Sequence, residues 1–127
     1  MDPTEVLRTK DLAREKPRAM EEELSGYAWL PRMIDKARAA DAGVLGSYVH
    51  PCPVDQRALS LLGVAPRRFR EIASSSRTAA EVLAALRAEG ARAAADAWFD
   101  AVAFEDELIN GARAERSKRG LTRTERV

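Results

Sequence analysis

The chain is poor in the residues that build disulfide scaffolds and zinc centres, because its 127 residues include one cysteine and one histidine. A single cysteine cannot form an internal disulfide, which favours a reducing compartment. One cysteine and one histidine also provide too few ligands for a standard tetrahedral zinc site. We therefore expect neither a metal nor another cofactor.

Long apolar runs and an excess of one charge sign are also missing. No apolar stretch approaches the roughly 20 residues that a membrane helix needs, and residues 1–5 are acidic, which predicts no secretory signal. The 21 basic and 20 acidic side chains leave a formal net charge of +1, so no global field attracts nucleic acid or an anionic membrane. We expect a cytoplasmic protein without a membrane partner.

The residues that are present predict a helical domain. Apolar residues make up 46% and charged residues 32% of the chain, a balance that supports a packed core. A chain of this length suits one compact domain, and no alternating strand pattern of useful length occurs. We predict an all-α, compact single domain of about five helices. An N-terminal arm (residues 1–23) precedes the helical domain (24–111), and a basic tail (112–127) that we expect to be disordered follows it.

Local signals place the predicted helices. Proline suits the first helical position, and glycine suits the left-handed position just after a helix. A capping box formed by Thr78 and Glu81 predicts the start of a fourth helix, and an apolar period of 3.6 predicts a last, longest helix. The predicted helices span about 31–42, 53–63, 66–73, 78–90 and 92–110. Residues 25–30 are interpreted as an extended segment that brings aromatic side chains to the core.

Three stretches resemble a known family. They are Lys10-Asp11-Leu12 through Pro17-Arg18, then Gly26-Tyr27-Ala28-Trp29-Leu30-Pro31-Arg32-Met33-Ile34-Asp35-Lys36-Ala37-Arg38-Ala39, and Tyr48 with Cys52-Pro53-Val54-Asp55-Gln56-Arg57 and Leu62-Gly63-Val64. Together they are similar to a bacterial family described only as domain of unknown function 5069. The resemblance covers about residues 7–72. It implies a small bacterial helical domain without an assigned activity, and it supplies no substrate, cofactor or catalytic residue.

The first long helix carries the densest polar cluster, Arg32, Asp35, Lys36 and Arg38. Spacings of three and four place Arg32 beside Asp35 and Lys36, which leaves surplus positive charge close to Trp29. An arginine fork beside aromatic rings can clamp a carboxylate or a phosphate. Alternatively, these side chains form ion pairs that tie helices together. The predicted ligand-binding residues are Trp29, Arg32, Lys36, Tyr48 and Arg57, with Asp35 orienting the arginines.

Cys52 is a weaker candidate for catalysis or redox chemistry. With Pro53 at the first helical position, Cys52 becomes the N-cap residue, where the helix dipole stabilises a thiolate. Asp55 in the same turn opposes a second negative charge. His50 could act as a base, although the prolines on both sides of Cys52 hinder a direct hydrogen bond. The alternative is a cysteine that packs as a small hydrophobic residue.

The tail of residues 112–127 has six basic and two acidic side chains. It could contact phosphates, but its acidic residues and its lack of aromatic side chains argue against nucleic acid as a partner. Our preferred hypothesis is a non-catalytic cytoplasmic module that binds a small anion or a protein partner. The alternatives are an enzyme or redox protein using Cys52 and a homo-oligomeric interaction protein.

Overall fold

The computed structural model describes residues 1–111 of the chain, so the predicted basic tail (112–127) lies outside the described residues. The helices are α1 (Leu30–Ala42), α2 (Pro53–Leu62), α3 (Pro66–Ser75), α4 (Ala79–Ala88) and α5 (101–111). Two short strands, β1 (Glu23–Leu24) and β2 (Tyr27–Ala28), form an antiparallel hairpin. The described chain is therefore mostly helical, as predicted, with a small sheet that the prediction lacked.

The ends of the first helices follow the predicted signals. A proline is the first residue of α2 and of α3 and the second residue of α1. Gly43 and Gly63 adopt the left-handed conformation after α1 and α2, with φ of 73° and 70°. After α2, the N–H of Val64 donates to the carbonyl of Leu59 (3.1 Å), which is the hydrogen bond of a Schellman motif. Local chemistry thus sets these boundaries.

The start of α4 matches its prediction in part. The Thr78 side chain accepts from the backbone N–H of Glu81 at 3.3 Å, as a cap residue should. The Glu81 carboxylate, however, accepts from the N–H of Arg77 instead of that of Thr78. The predicted capping box is therefore half formed.

The segment of residues 25–30 is a hairpin turn followed by a strained helix cap, and it is not simply extended. Ser25 and Gly26 both have positive φ, 50° and 84°, which is the signature of a two-residue type I′ turn. Trp29 also has a positive φ, 77°, and forms the N-cap of α1. The turn directs Tyr27 and Trp29 into the core, where they are 4% and 2% exposed.

The prediction of a longest helix over 92–110 is wrong. Residues 92–100 are irregular and α5 begins at residue 101, while α1, with 13 residues, is longer. The indole of Trp98 donates to the carbonyl of Ala28 at 2.9 Å and packs on Tyr27, which holds this segment against the hairpin. The Asp100 carboxylate then accepts from the N–H of Ala103 at 3.0 Å, so Asp100 caps a new helix.

The apolar stripe predicted for that helix is also partly exposed. Leu108 and Ile109 in its last turn are 41% and 43% exposed. The core instead lies between α1 and α3, the helices that pack most extensively against each other. Its fully buried large side chains include Leu24, Leu30, Met33, Ile34, Phe69, Val82 and Leu86. Among the described helices, none is both long enough and apolar enough to cross a membrane.

Residues 1–23 run along the helical domain. Val6 forms an isolated antiparallel bridge with Thr78, and the N–H of Leu12 donates to the carbonyl of Val44 at 2.9 Å. Leu12 is 4% exposed. Gly46 allows this contact, because a Cβ at Gly46 would lie 2.8 Å from the Leu12 carbonyl oxygen.

Gly46→Ala should therefore destabilise the protein more than Gly43→Ala does. Both glycines have positive φ, 60° and 73°, so each substitution costs about 1–2 kcal/mol of backbone strain. Gly43 has open space where the Cβ would be, whereas Gly46 adds a backbone clash of a further ~1–3 kcal/mol. Urea unfolding of both variants measures the difference. Equal free energies of unfolding would show that residues 12–13 move away without loss.

Candidate functional site

A fully buried carboxylate, that of Asp55, lies at the start of α2 and collects four polar contacts. Its Oδ1 accepts from the indole Nε1 of Trp29 at 2.7 Å. Its Oδ2 accepts from the ammonium of Lys36 at 2.8 Å and from the backbone N–H of Cys52 at 3.0 Å. The Nδ1 of His50 also lies 3.0 Å from Oδ2. We call these five residues the Asp55 cluster.

The local sequence of α2 positions the carboxylate. Cys52 is the N-cap and Pro53 the first helical residue, as predicted, which makes Asp55 the third helical residue. The Sγ of Cys52 accepts from the N–H of Asp55 at 3.5 Å, while the Asp55 carboxylate accepts from the N–H of Cys52. This reciprocal pair is a capping box with a thiol in the place of a hydroxyl.

The electrostatics of the cluster keep Asp55 ionised. Burial by itself raises the pKa of this carboxyl group, because it penalises the charged form. The hydrogen bond from His50 and the charge of Lys36 outweigh burial and hold the pKa of Asp55 well below its ordinary value of 3.8. An ionised carboxylate can only accept hydrogen bonds, so the Nδ1 of His50 must carry a proton.

The sulfur of Cys52 has a second donor in the cluster. The ammonium of Lys36 lies 3.4 Å from Sγ, in addition to the N–H of Asp55. His50, which we considered as a base, contacts Asp55 through Nδ1, and its Nε2 is buried without a hydrogen-bond partner in the described part of the chain. The structure thus places the cation of Lys36, rather than the imidazole, beside the thiol.

Asp35 belongs to a separate buried arrangement. It is 3% exposed and accepts from the backbone N–H of Arg18 at 2.9 Å and from the ammonium of Lys10 at 3.1 Å. We predicted that Asp35 would orient the arginines of the binding site. The partners observed here come instead from the N-terminal residues, which Asp35 fastens to α1.

Arg32 differs from these paired groups, because no carboxylate within residues 1–111 lies within 4.0 Å of it. Its guanidinium carbon lies 5.3 Å from the ring centroid of Trp29 and 5.6 Å from that of Tyr48. Its Nη1 donates to the carbonyl of Arg18 at 3.1 Å, and its Nε is buried without a hydrogen-bond partner among residues 1–111. Cation–π contacts and one carbonyl therefore hold the guanidinium.

The predicted binding residues separate into two places. Trp29, Arg32, Lys36 and Tyr48 lie together, although Lys36 is 3% exposed and is bound to Asp55. Arg57 lies on the exposed side of α2 and lines a groove with Phe104 and Glu107 that contains none of the other predicted residues.

The sequence did not lead us to predict that Asp55 accepts most of the hydrogen bonds of the site, or that His50 contacts it. We considered Asp55 as a group opposing a thiolate and as one ion-pair partner for the first helix, whereas the structure makes it the main acceptor of the cluster. Its position three residues after an N-cap was the available signal. No comparable local signal exists for His50. Within residues 1–111, no group of three or more His, Cys, Asp or Glu side chains is arranged to hold a metal ion.

Comparison with known families agrees with the resemblance. The model of a family described as a domain of unknown function (DUF5069) matches residues 14–125, so the chain belongs to this family. The match includes the C-terminal half, beyond the stretches that carried the resemblance. A search among curated proteins gave no match.

We expect Asp55→Asn to lower the free energy of unfolding by about 3–5 kcal/mol, since it leaves the buried Lys36 ammonium without a counter-charge. A double variant with Lys36→Met should lose less than the sum of the two single variants. Asp41→Asn on the exposed surface of α1 is the matched control and should change stability by less than about 0.5 kcal/mol. Urea unfolding measures the free energy of unfolding of the two single variants, the double variant and the control. An Asp55→Asn variant as stable as the control would contradict the role of the cluster.

Proposed function

We propose that the protein is a non-catalytic module that binds an anionic group at Arg32. The group is a carboxylate or a phosphate, carried by a small molecule or by a protein partner. The observation that supports this proposal is that Arg32 has no carboxylate partner within the described chain. Lys36 and Arg18, in contrast, both form ion pairs with carboxylates.

The environment of Arg32 suits an incoming anion. The side chain is partly exposed. Its Nη1 donates to the Arg18 carbonyl and its Nε is buried, so the N–H groups of Nη2 are the ones that can donate to an anion. The rings of Trp29 and Tyr48 and the carbonyl of Arg18 hold the guanidinium in place, so less rotamer entropy remains to be lost on binding. Lys36 is not part of the proposed contact, because Asp55 and Cys52 occupy its ammonium.

Thermal shift with inorganic phosphate, citrate and a nucleotide at about 10 mM tests the small-molecule form. An anion present at ten times its Kd should stabilise the wild type by ~1.4 kcal/mol, which raises Tm by roughly 4–6 °C. Arg32→Gln should abolish the increase. Arg67→Gln, which removes an arginine with an 86% exposed side chain on α3, should retain it.

A peptide rich in Asp and Glu tests the partner form with the same variants. Stabilisation by the peptide alone would assign the site to a protein partner, and stabilisation by the small anions would assign it to a metabolite. An Arg32→Gln variant that responds to every compound as the wild type does would refute the proposal.

A second function, thiol chemistry at Cys52, is favoured by one specific contact, the ammonium of Lys36 at 3.4 Å from Sγ. A cation beside a sulfur at a helix N-terminus stabilises the thiolate, which is the nucleophilic form. The Asp55 carboxylate, which aligns Lys36, opposes a second negative charge on the sulfur. The rate of thiol alkylation shows which of the two effects is larger.

If Cys52 serves as a redox or catalytic thiol, iodoacetamide should alkylate the folded protein at neutral pH faster than it alkylates the urea-unfolded chain. The rate against pH measures this effect, and Cys52→Ser provides the unlabelled control. A Cys52 that reacts only after unfolding would eliminate thiol chemistry and leave the anion-binding proposal untouched.

A further inference from the structure

Two adjoining grooves run beside the start of α5. One has a volume of about 410 Å³ and the other about 630 Å³, and both are lined by Phe99 and Asp100. Trp98 and Phe104 add further aromatic surface. We call the two together the α5 groove. Its aromatic surface suits apolar side chains, which aromatic rings contact over a large area.

The rim of the α5 groove is acidic. The carboxylates that line it are those of Glu21, Glu23, Asp100 and Glu107. None of the four has a cationic side chain within 4.0 Å among the residues that the structure describes. Arg57 is the basic residue in the lining. The groove therefore favours a segment that is basic and carries some apolar side chains.

We propose that residues 112–127 of the same chain dock in the α5 groove. This segment has six basic and two acidic side chains, a surplus of four positive charges, and it contains Leu121. Since the whole chain has a net charge of +1, residues 1–111 carry a net charge of −3. The segment and the domain are thus opposite in charge, and the family match continues to residue 125, so most of the segment belongs to the same domain.

The length of the chain permits the docking. The segment begins where α5 is described to end, at residue 111. The groove lies along the first turns of that helix, about 15 Å back at 1.5 Å per residue. An extended chain covers roughly 3.3 Å per residue, so about five residues are enough to return to Asp100. The remainder can lie along the rim.

Carbodiimide crosslinking of the full chain tests the docking, because it joins an amine to a carboxylate in contact with it, with loss of water. Lys118 is the only lysine of the segment. Mass spectrometry should find Lys118 joined to Glu107, Asp100, Glu23 or Glu21. The yield should fall at least fivefold in about 1 M NaCl, where the Debye length is only ~3 Å. Arg116→Glu combined with Arg119→Glu should lower it similarly.

Three comparisons decide the outcome. Asp41 is an exposed carboxylate on α1, and crosslinks to Asp41 as frequent as those to the rim would overturn the proposal. When 15N-labelled and unlabelled chains are mixed, each crosslinked peptide pair should be either fully labelled or fully unlabelled, because both peptides come from one chain. Pairs with one labelled and one unlabelled peptide would assign the groove to a second copy instead. Ser117→Lys and Thr122→Lys each place a second amine elsewhere on the segment. If these variants and the wild type all lack crosslinks to the rim, the docking proposal is overturned.

Discussion

The buried carboxylate of Asp55 is the interaction on which the rest of the structure depends. Removing an ion pair from water costs several kcal/mol for each ion, and only well-placed partners offset that penalty. The donors to Asp55 come from the start of α1 and from the segment just before α2. These two parts of the chain must therefore be in place together.

The same interaction explains the strained backbone of Trp29. A non-glycine residue with a φ of 77° costs about 1–2 kcal/mol, and it persists only where its surroundings fix it. The Trp29 indole donates to the carboxylate of Asp55. The backbone N–H of Trp29 donates to the backbone carbonyl of Glu22 at 3.2 Å. The ring then presents its face to both Arg32 and Lys36. The proposed anion site is thus positioned by Asp55, a buried group outside the proposed contact.

Local signals in the sequence predicted most of the helix boundaries, because proline and glycine act through the backbone of their own turn. The same reasoning failed between residues 92 and 100, where Trp98 packs on the β hairpin instead of on a helix face. Asp100 caps α5, but the prediction followed the apolar period and did not consider this residue as a cap. The hairpin was missed as well, although Ser25-Gly26 is a typical turn pair. Apolar periodicity alone therefore does not distinguish a helix from an irregular segment held by a few aromatic contacts.

Counter-ions were the least predictable part of the site. Spacing along one helix identifies neighbours three and four residues away, but Lys36 meets Asp55 across 19 residues and Arg38 donates to carbonyls of Ala73 and Ser76. A surplus of cations in one segment therefore says little about which of them stays unpaired. Tertiary contacts distribute three neighbouring cations among a carboxylate, three carbonyls and a pair of aromatic rings. Since the rings and a single carbonyl provide no counter-charge to Arg32 within residues 1–111, the surplus is concentrated there.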